Sequence, residues 1–146
     1  MERFADKNER ELCLAPLPEK EKRSAWIGQY WGKEAFLFIG ASGIAVRLIA
    51  PWVKDKFTDS PVLVMDERAE YVIPLLSGHV GGAVEIAREI AGSVGAKPVI
   101  TTATDVEQVF AVDVFAADNR LRIGNRTTAK QISAALLDGK CVGFYA

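Results

Sequence analysis

The sequence predicts an α/β domain of three layers, α/β/α, around a mostly parallel sheet, and three observations carry that prediction. "AFLFIGA" is a continuous apolar run of strand length that passes through Gly40 to Gly43 into the helical pattern "GIAVRLIAPWV". "GGAVEIAREIAGSVGA" sets Val84, Ala87, Ile90, Ala91 and Val94 on one helical face between glycines. Strand and helix patterns alternate along the chain, as they do when crossover helices cover a parallel sheet.

Before the first of these units, residues 1–24 hold twelve of the 37 charged side chains, so they read as a solvated lead-in with a short strand at "ELCLAP". From Pro18 the pattern suits a helix with Trp26, Ile27, Tyr30 and Trp31 on one face, a core stripe, ended by Gly32. After "GIAVRLIAPWV", which Pro51 ends, a polar break "KDKFTDS" leads to "PVLVMD" and "YVIPLL". These two suggest a strand pair, with Pro74 making the second an edge or a short strand. "KPVITTATD" is expected to be a β-branched strand and "VFAVDVFAADN" a second one with a turn. "TTAKQISAALLDG" suits a helix with a Thr cap and a terminal Gly, and "KCVGFYA" a last strand.

A chain of 146 residues, 49% hydrophobic, buries one core, so a single domain spanning 1–146 is expected. A net charge of −1 offers no basic surface for nucleic acid. No apolar stretch reaches the roughly 18 residues of a membrane span, and the charged start is unlike a signal peptide, so a cytoplasmic location is expected. Cys13 and Cys141 lack metal or redox spacing and read as reduced thiols. Neither a zinc nor a calcium motif occurs, so no protein-bound metal or cofactor is expected.

In open α/β sheets ligands bind beyond the carboxyl ends of strands, and three such ends carry distinctive residues. Gly40, Ser42 and Gly43 precede a helix that bears Arg47, which suits an anion cradle or plain close packing. Ser77, Gly78, Gly81 and Gly82 surround the only histidine, His79, a candidate base beside helix-start amides. Thr101, Thr102, Thr104 and Asp105 line hydroxyls up with a carboxylate, either to orient a substrate, water or imidazole, or to cap the succeeding segment.

The stretches "FIGASGIAVRLIAP", "VMDERAEYVIPLLSGHVGGA" and "GAKPVITTATD" together resemble the amino-terminal domain of the cobalt-precorrin-5A hydrolases, the CbiG family of cobalamin biosynthesis, over roughly residues 35–117. The resemblance implies anaerobic, early-cobalt cobalamin synthesis, with opening of the lactone of cobalt-precorrin-5A and release of acetaldehyde to give cobalt-precorrin-5B. Cobalt would arrive inside this corrinoid substrate. Its acetate and propionate carboxylates would meet helix-start amides, Arg47 and Lys54 or Lys56. His79 would activate water, the amides of Gly81 and Gly82 would hold the oxyanion, and Asp105 or Thr104 would orient the base or the water. The family usually has Asn where this chain has Val84 and Gly where it has Ala69, and it continues into a further carboxyl-terminal domain. That domain, or a separate subunit, is therefore an expected partner, and a homo-oligomer stays open. The same loops also suit a non-catalytic module that binds a corrinoid or polycarboxylate; a nucleotide-binding protein using "GASG" is disfavoured by its missing phosphate fingerprints.

Overall fold

The computed structural model describes residues 2–5, 11–16, 18–119, 121–143 and 145. Near the start, β1 (Glu2–Ala5) pairs antiparallel with β2 (Glu11–Leu14), so the expected short strand has a partner that the charge-rich sequence did not reveal. A 3-10 turn at Lys20–Lys22 leads into α1 (Arg23–Tyr30), closed by Gly32 at φ 75°.

The main sheet has the order β3 (Phe36–Ile39), β4 (Val62–Met65), β5 (Tyr71–Leu76), β6 (Lys97–Pro98). β3 runs parallel to β4, β4 antiparallel to β5, and β5 parallel to β6. The turn between β4 and β5 is built on Asp66, whose carboxylate accepts the N–H groups of Arg68, Glu70 and Tyr71. Ala69 in that turn sits at φ 53°, a left-handed conformation that a glycine adopts freely and an alanine adopts at a cost of about 1–2 kcal/mol.

Side-chain alternation sends Leu63, Met65 and Val72 to one face, where Ala83, Ala87 and Ala91 of α3 (Ala83–Val94) cover them. On the other face Phe36 meets the rings of Trp26 and Trp31 at 6.4 and 5.9 Å, and α1 packs against α2 (Ser42–Ile49). The expected three layers are therefore present. Val62, Leu63 and Val64 are sealed in the middle, each burial contributing about 1.5–3 kcal/mol. No helix among the described residues is long and apolar enough to cross a membrane.

Several elements differ from expectation. "AFLFIGA" is an edge strand with Ile39 59% exposed, because only β4 flanks it. Pro74 belongs to an inner strand; it lies beyond the two residues of β6 and opposite a register shift at Val62/Leu63, so its missing N–H breaks no regular ladder. "KPVITTATD" is strand only at Lys97–Pro98 and then forms a short helix, α4 (Ala103–Val106). "VFAVDVFAADN" is helical: α5 (Val112–Asp118) sets Val112, Phe115 and Ala116 at helical spacing and buries Ala116, so the period outweighed the strand propensity of Val and Phe. α6 (Arg126–Leu137) is capped by Asn125, which accepts the N–H of Thr128, rather than by a Thr. Residues 140–143 are exposed and form no strand. Cys141 is an exposed free thiol, and the side chain of Cys13 lies outside the described part.

Two glycines give opposite expectations for stability. A Cβ at Gly81 would sit 2.5 Å from Ser77 Cβ and 2.8 Å from the Ser77 carbonyl oxygen, whereas one at Gly92 in α3 would meet nothing within 4 Å. Urea denaturation is expected to show Gly81→Ala destabilised by about 1–3 kcal/mol. Gly92→Ala should be more stable by about 0.5–1 kcal/mol, through helix propensity alone.

Candidate active site

The mixed sheet decides which loops meet. Because β5 runs antiparallel to β3, the loop after β5 leaves the opposite end of the sheet from the loop after β3. β6 is parallel to β5, so the segment after it emerges beside the loop Ser77–Gly82. Of the three expected strand-end loops, the structure thus joins the second and third and sends the first elsewhere. Ser42 and Gly43 are exposed at the far end, the Gly40 N–H is bonded to the Met65 carbonyl, and Arg47 donates to the Gly43 carbonyl of its own helix. The three-loop site expected of a parallel sheet is corrected to two loops by this single antiparallel pairing.

The histidine loop is held from below. Ser77, buried at φ 54°, donates its hydroxyl to the Asp59 carbonyl at 2.9 Å. The buried Asp59 carboxylate in turn accepts Trp31 Nε1 and the Lys54 N–H at 3.3 and 2.8 Å. Gly78 lets Val84 and Thr102 approach, since a Cβ there would be 3.3 Å from Val84 Cγ2 and 3.7 Å from Thr102 Cγ2. Val84 is buried in this contact, which accounts for an apolar residue where a polar ligand contact was conceivable. Gly82, at φ 81°, donates its N–H to the His79 carbonyl, while the N–H groups of Ala83 and Val84 go to the carbonyls of Ser77 and Gly78. The amide of Gly82, expected to face an oxyanion, is consumed in closing the turn, and Gly81 serves the tight contact with Ser77.

His79 itself lies between two carboxylates. Nε2 is 2.6 Å from Asp105 Oδ2 and Nδ1 is 3.3 Å from Asp113 Oδ1, with side-chain exposures of 10, 17 and 22% for His79, Asp105 and Asp113. Asp105, in the first turn of α4, also accepts Arg88 Nη2 at 2.8 Å and the hydroxyl of Thr102. Thr102 is thus a site residue through its hydroxyl, whereas Thr101 is exposed with no recorded side-chain bond. Thr104 lines the space around α4.

The electrostatics follow from this geometry. The hydrogen bond to Asp113 raises the His79 pKa above its ordinary 6.5; burial opposes the rise, and the bond to Asp105 and both negative charges add to it. Asp113 is lowered below 3.8, first by the His79 bond, against burial, and further by the His79 charge, its own N–H and Lys56. For Asp105 burial pushes upward, but bonds from Thr102, His79 and Arg88 outweigh it and the carboxyl is lowered. Both ring nitrogens face carboxylates, an arrangement that favours the doubly protonated imidazolium over the neutral base expected from sequence.

The site opens into a cleft of about 350 Å³ lined by His79, Asp113, Thr102 and Thr104, with Lys56, Arg126 and Lys130 around it. A second hollow of about 490 Å³ lies beside Arg88, Asp105 and Phe110. Asp105 does not line the first cleft and Asp113 does, which separates the two carboxylates by access. Sequence reasoning missed Asp113, Arg88, Arg126 and Lys130. The signal for Asp113 was a lone carboxylate inside the apolar run "FAVDVFAA", which demands a partner if the run is buried. Among the described residues no group of three or more His, Cys, Asp or Glu is arranged to hold a metal.

This charge pattern makes stability pH-dependent in a defined way. With its pKa raised, His79 contributes stability that is complete below about 6.5, its unfolded value, and is lost as pH rises through the folded pKa above it. Asp105 and Asp113, both lowered, contribute above about 3.8 and lose that contribution as pH falls through their folded values below it. Thermal denaturation across pH is expected to show a loss on the alkaline side of 6.5 that His79→Gln removes. An alkaline slope unchanged in that variant would contradict the charged triple.

Comparison with known proteins places this chain in a family. Residues 25–105 match the family described as Cobalamin synthesis G N-terminal, and residues 110–146 match the Cobalamin biosynthesis central region. A cobalt-precorrin-5A hydrolase of Salmonella typhimurium is 50% identical over 112 residues, covering 76% of this chain and 32% of that protein. One of Priestia megaterium is 50% identical over 82 residues, covering 56% of this chain and 22% of its own length. A solved cobalamin biosynthesis protein G homolog from Sulfolobus solfataricus is 29% identical, with a TM-score of 0.49 over 82% of this chain and 40% of that one. The chain spans about a third or less of the length of the two hydrolases. It belongs to the cobalamin synthesis G family, with His79 and Asp105 in the amino-terminal region and Asp113 in the central one.

Proposed function

We propose that this chain carries the lactone-opening centre of a cobalt-precorrin-5A hydrolase, acting in the cytosol as part of a longer enzyme. The observation that carries the reading is His79 set between two carboxylates, one of which, Asp113, lines a cation-rimmed cleft. Half of the residues aligned with the Salmonella and Priestia cobalt-precorrin-5A hydrolases are identical, which supports this reading.

In this mechanism Asp113, kept ionised by His79, takes a proton from a water molecule in the cleft. The water oxygen bonds to the lactone carbonyl carbon, and the negative charge that develops on the carbonyl oxygen faces the imidazolium of His79. His79 gives its Nδ1 proton to the ring oxygen as the C–O bond breaks, which leaves a carboxylic acid and an alcohol. The carboxyl group ionises to solvent, and the now-neutral Nδ1 of His79 takes back the alcohol proton as the adjacent C–C bond breaks; acetaldehyde leaves, the electron pair stays on the macrocycle, and Asp113 releases its proton to solvent. Asp105, fixed by Arg88 and Thr102, holds the imidazole in orientation and needs no contact with the substrate. Cobalt enters and leaves as part of the substrate.

Acetaldehyde release from anaerobically prepared cobalt-precorrin-5A tests this reading. His79→Gln and Asp113→Asn are each expected to lower the turnover number by about 10²–10⁴-fold. Turnover by either variant equal to the parent's would contradict the mechanism, whereas corrinoid binding with no acetaldehyde released even by the parent would fit a module that binds the corrinoid without acting on it.

A further inference from the structure

The cleft beside His79 has a composition that the proton-transfer steps do not use. Lys56 comes from the loop before β4, and Arg126 and Lys130 from successive turns of α6. Between them the lining is apolar, with Phe57, Ile123 and Leu137. Three cations in one cleft repel one another, so the arrangement costs free energy unless anions or rings compensate it. Arg126 is partly compensated: its guanidinium carbon lies 3.8 Å from the centre of the Phe57 ring, and Nη1 is 3.3 Å from Asp55 Oδ2. Lys56 lies 5.0 Å from the same ring. Lys130 has no recorded ion pair or hydrogen bond among the described residues, although it stands one helical turn beyond Arg126.

We propose that Lys130, with Arg126 and Lys56, seats the carboxylates of a ligand whose apolar body lies along Phe57, Ile123 and Leu137. This proposal rests on the reading of the site as a corrinoid hydrolase and adds which residues select the substrate. A body with several ionised carboxylates satisfies both halves of the lining, whereas a neutral body of the same shape satisfies only the apolar half. The fit also divides labour along the chain. Lys130 and Arg126 are on α6, in the region matching the central family segment, while His79 is in the amino-terminal one. Lys130 and Arg126 are specificity residues in this scheme, so their loss raises KM and leaves turnover at saturation near that of the parent.

Binding of two cobalt corrinoids by this chain, followed by their visible absorption and by calorimetry, separates the possibilities. One is dicyanocobyrinic acid, with free acetate and propionate side chains; the other is dicyanocobinamide, in which those side chains are amides. The acid is expected to bind at least about tenfold more tightly at low salt, with the difference shrinking as ionic strength rises. Lys130→Gln together with Arg126→Gln should bring the ratio close to one and leave amide binding unchanged, while Lys140→Gln, outside the cleft, should leave the ratio as it is. Equal binding of acid and amide by the parent, or a ratio unchanged in the double variant, would overturn the charge assignment and leave the hydrolase reading standing. Binding of neither corrinoid would overturn this proposal together with the reading on which it rests.

Discussion

A largely buried imidazole with two N–H groups is stable only if each finds an acceptor, and this chain answers that demand with a carboxylate on either side. Meeting it constrains four elements at once. The end of β5 and the start of α3 must hold the loop Ser77–Gly82 so that the ring points outward from the sheet end. α4 must begin where Asp105 can reach Nε2, and α5 must begin where Asp113 can reach Nδ1. Asp105 is itself shared with Arg88 of α3 and with Thr102, which makes it the fixed side of the pair; Asp113 stands at a longer distance and faces the cleft rimmed by Lys56, Arg126 and Lys130.

Much of the framework was legible in the sequence because local pattern and tertiary demand agree there. α3 shows its face through Val84, Ala87 and Ala91, and its ends through two glycines that adopt left-handed conformations. The turn at Asp66 joins β4 to β5 within a few residues, so the strand pair needed no long-range information. His79 and Asp105 were legible as candidates because each stands in a distinctive loop beside a helix start. The five residues between β4 and β5 are too few for a parallel crossover and force β5 antiparallel, whereas the rule that ligands gather at strand carboxyl ends assumes a parallel sheet; the antiparallel sense sends Gly40, Ser42, Gly43 and Arg47 to the end of the sheet opposite His79. Asp113 was lost for a different reason: Val112, Val114 and Phe115 have strand propensity, and only the packing of Ala116 shows that the period is helical.

The site is shared between two family regions, which bears on how the chain works. Residues 25–105 supply His79, Asp105, Arg88 and Lys56, while residues 110–146 supply Asp113, Arg126 and Lys130. Besides the packing of α4 on α6, these parts meet through charged contacts: His79 with Asp113, and Arg126 with Asp55 and the Phe57 ring. Such contacts are specific in geometry and modest in strength where exposed, so the two parts are held in register by the same groups that line the cleft. Occupation of the cleft by an anionic ligand would add to this register by neutralising Lys130 and Arg126 together.

The protonation state of His79 tests this account most directly, and its being the only histidine makes the measurement unambiguous. In ¹⁵N-labelled protein the two imidazole nitrogens, followed by NMR across pH, are expected to show an imidazolium with both nitrogens protonated at pH 6.5, titrating only above that value, and Asp113→Asn should move the transition downward. A ring that is already a neutral tautomer at pH 6.5, with a transition unmoved by Asp113→Asn, would contradict the claim that the fold is arranged around a histidine cation.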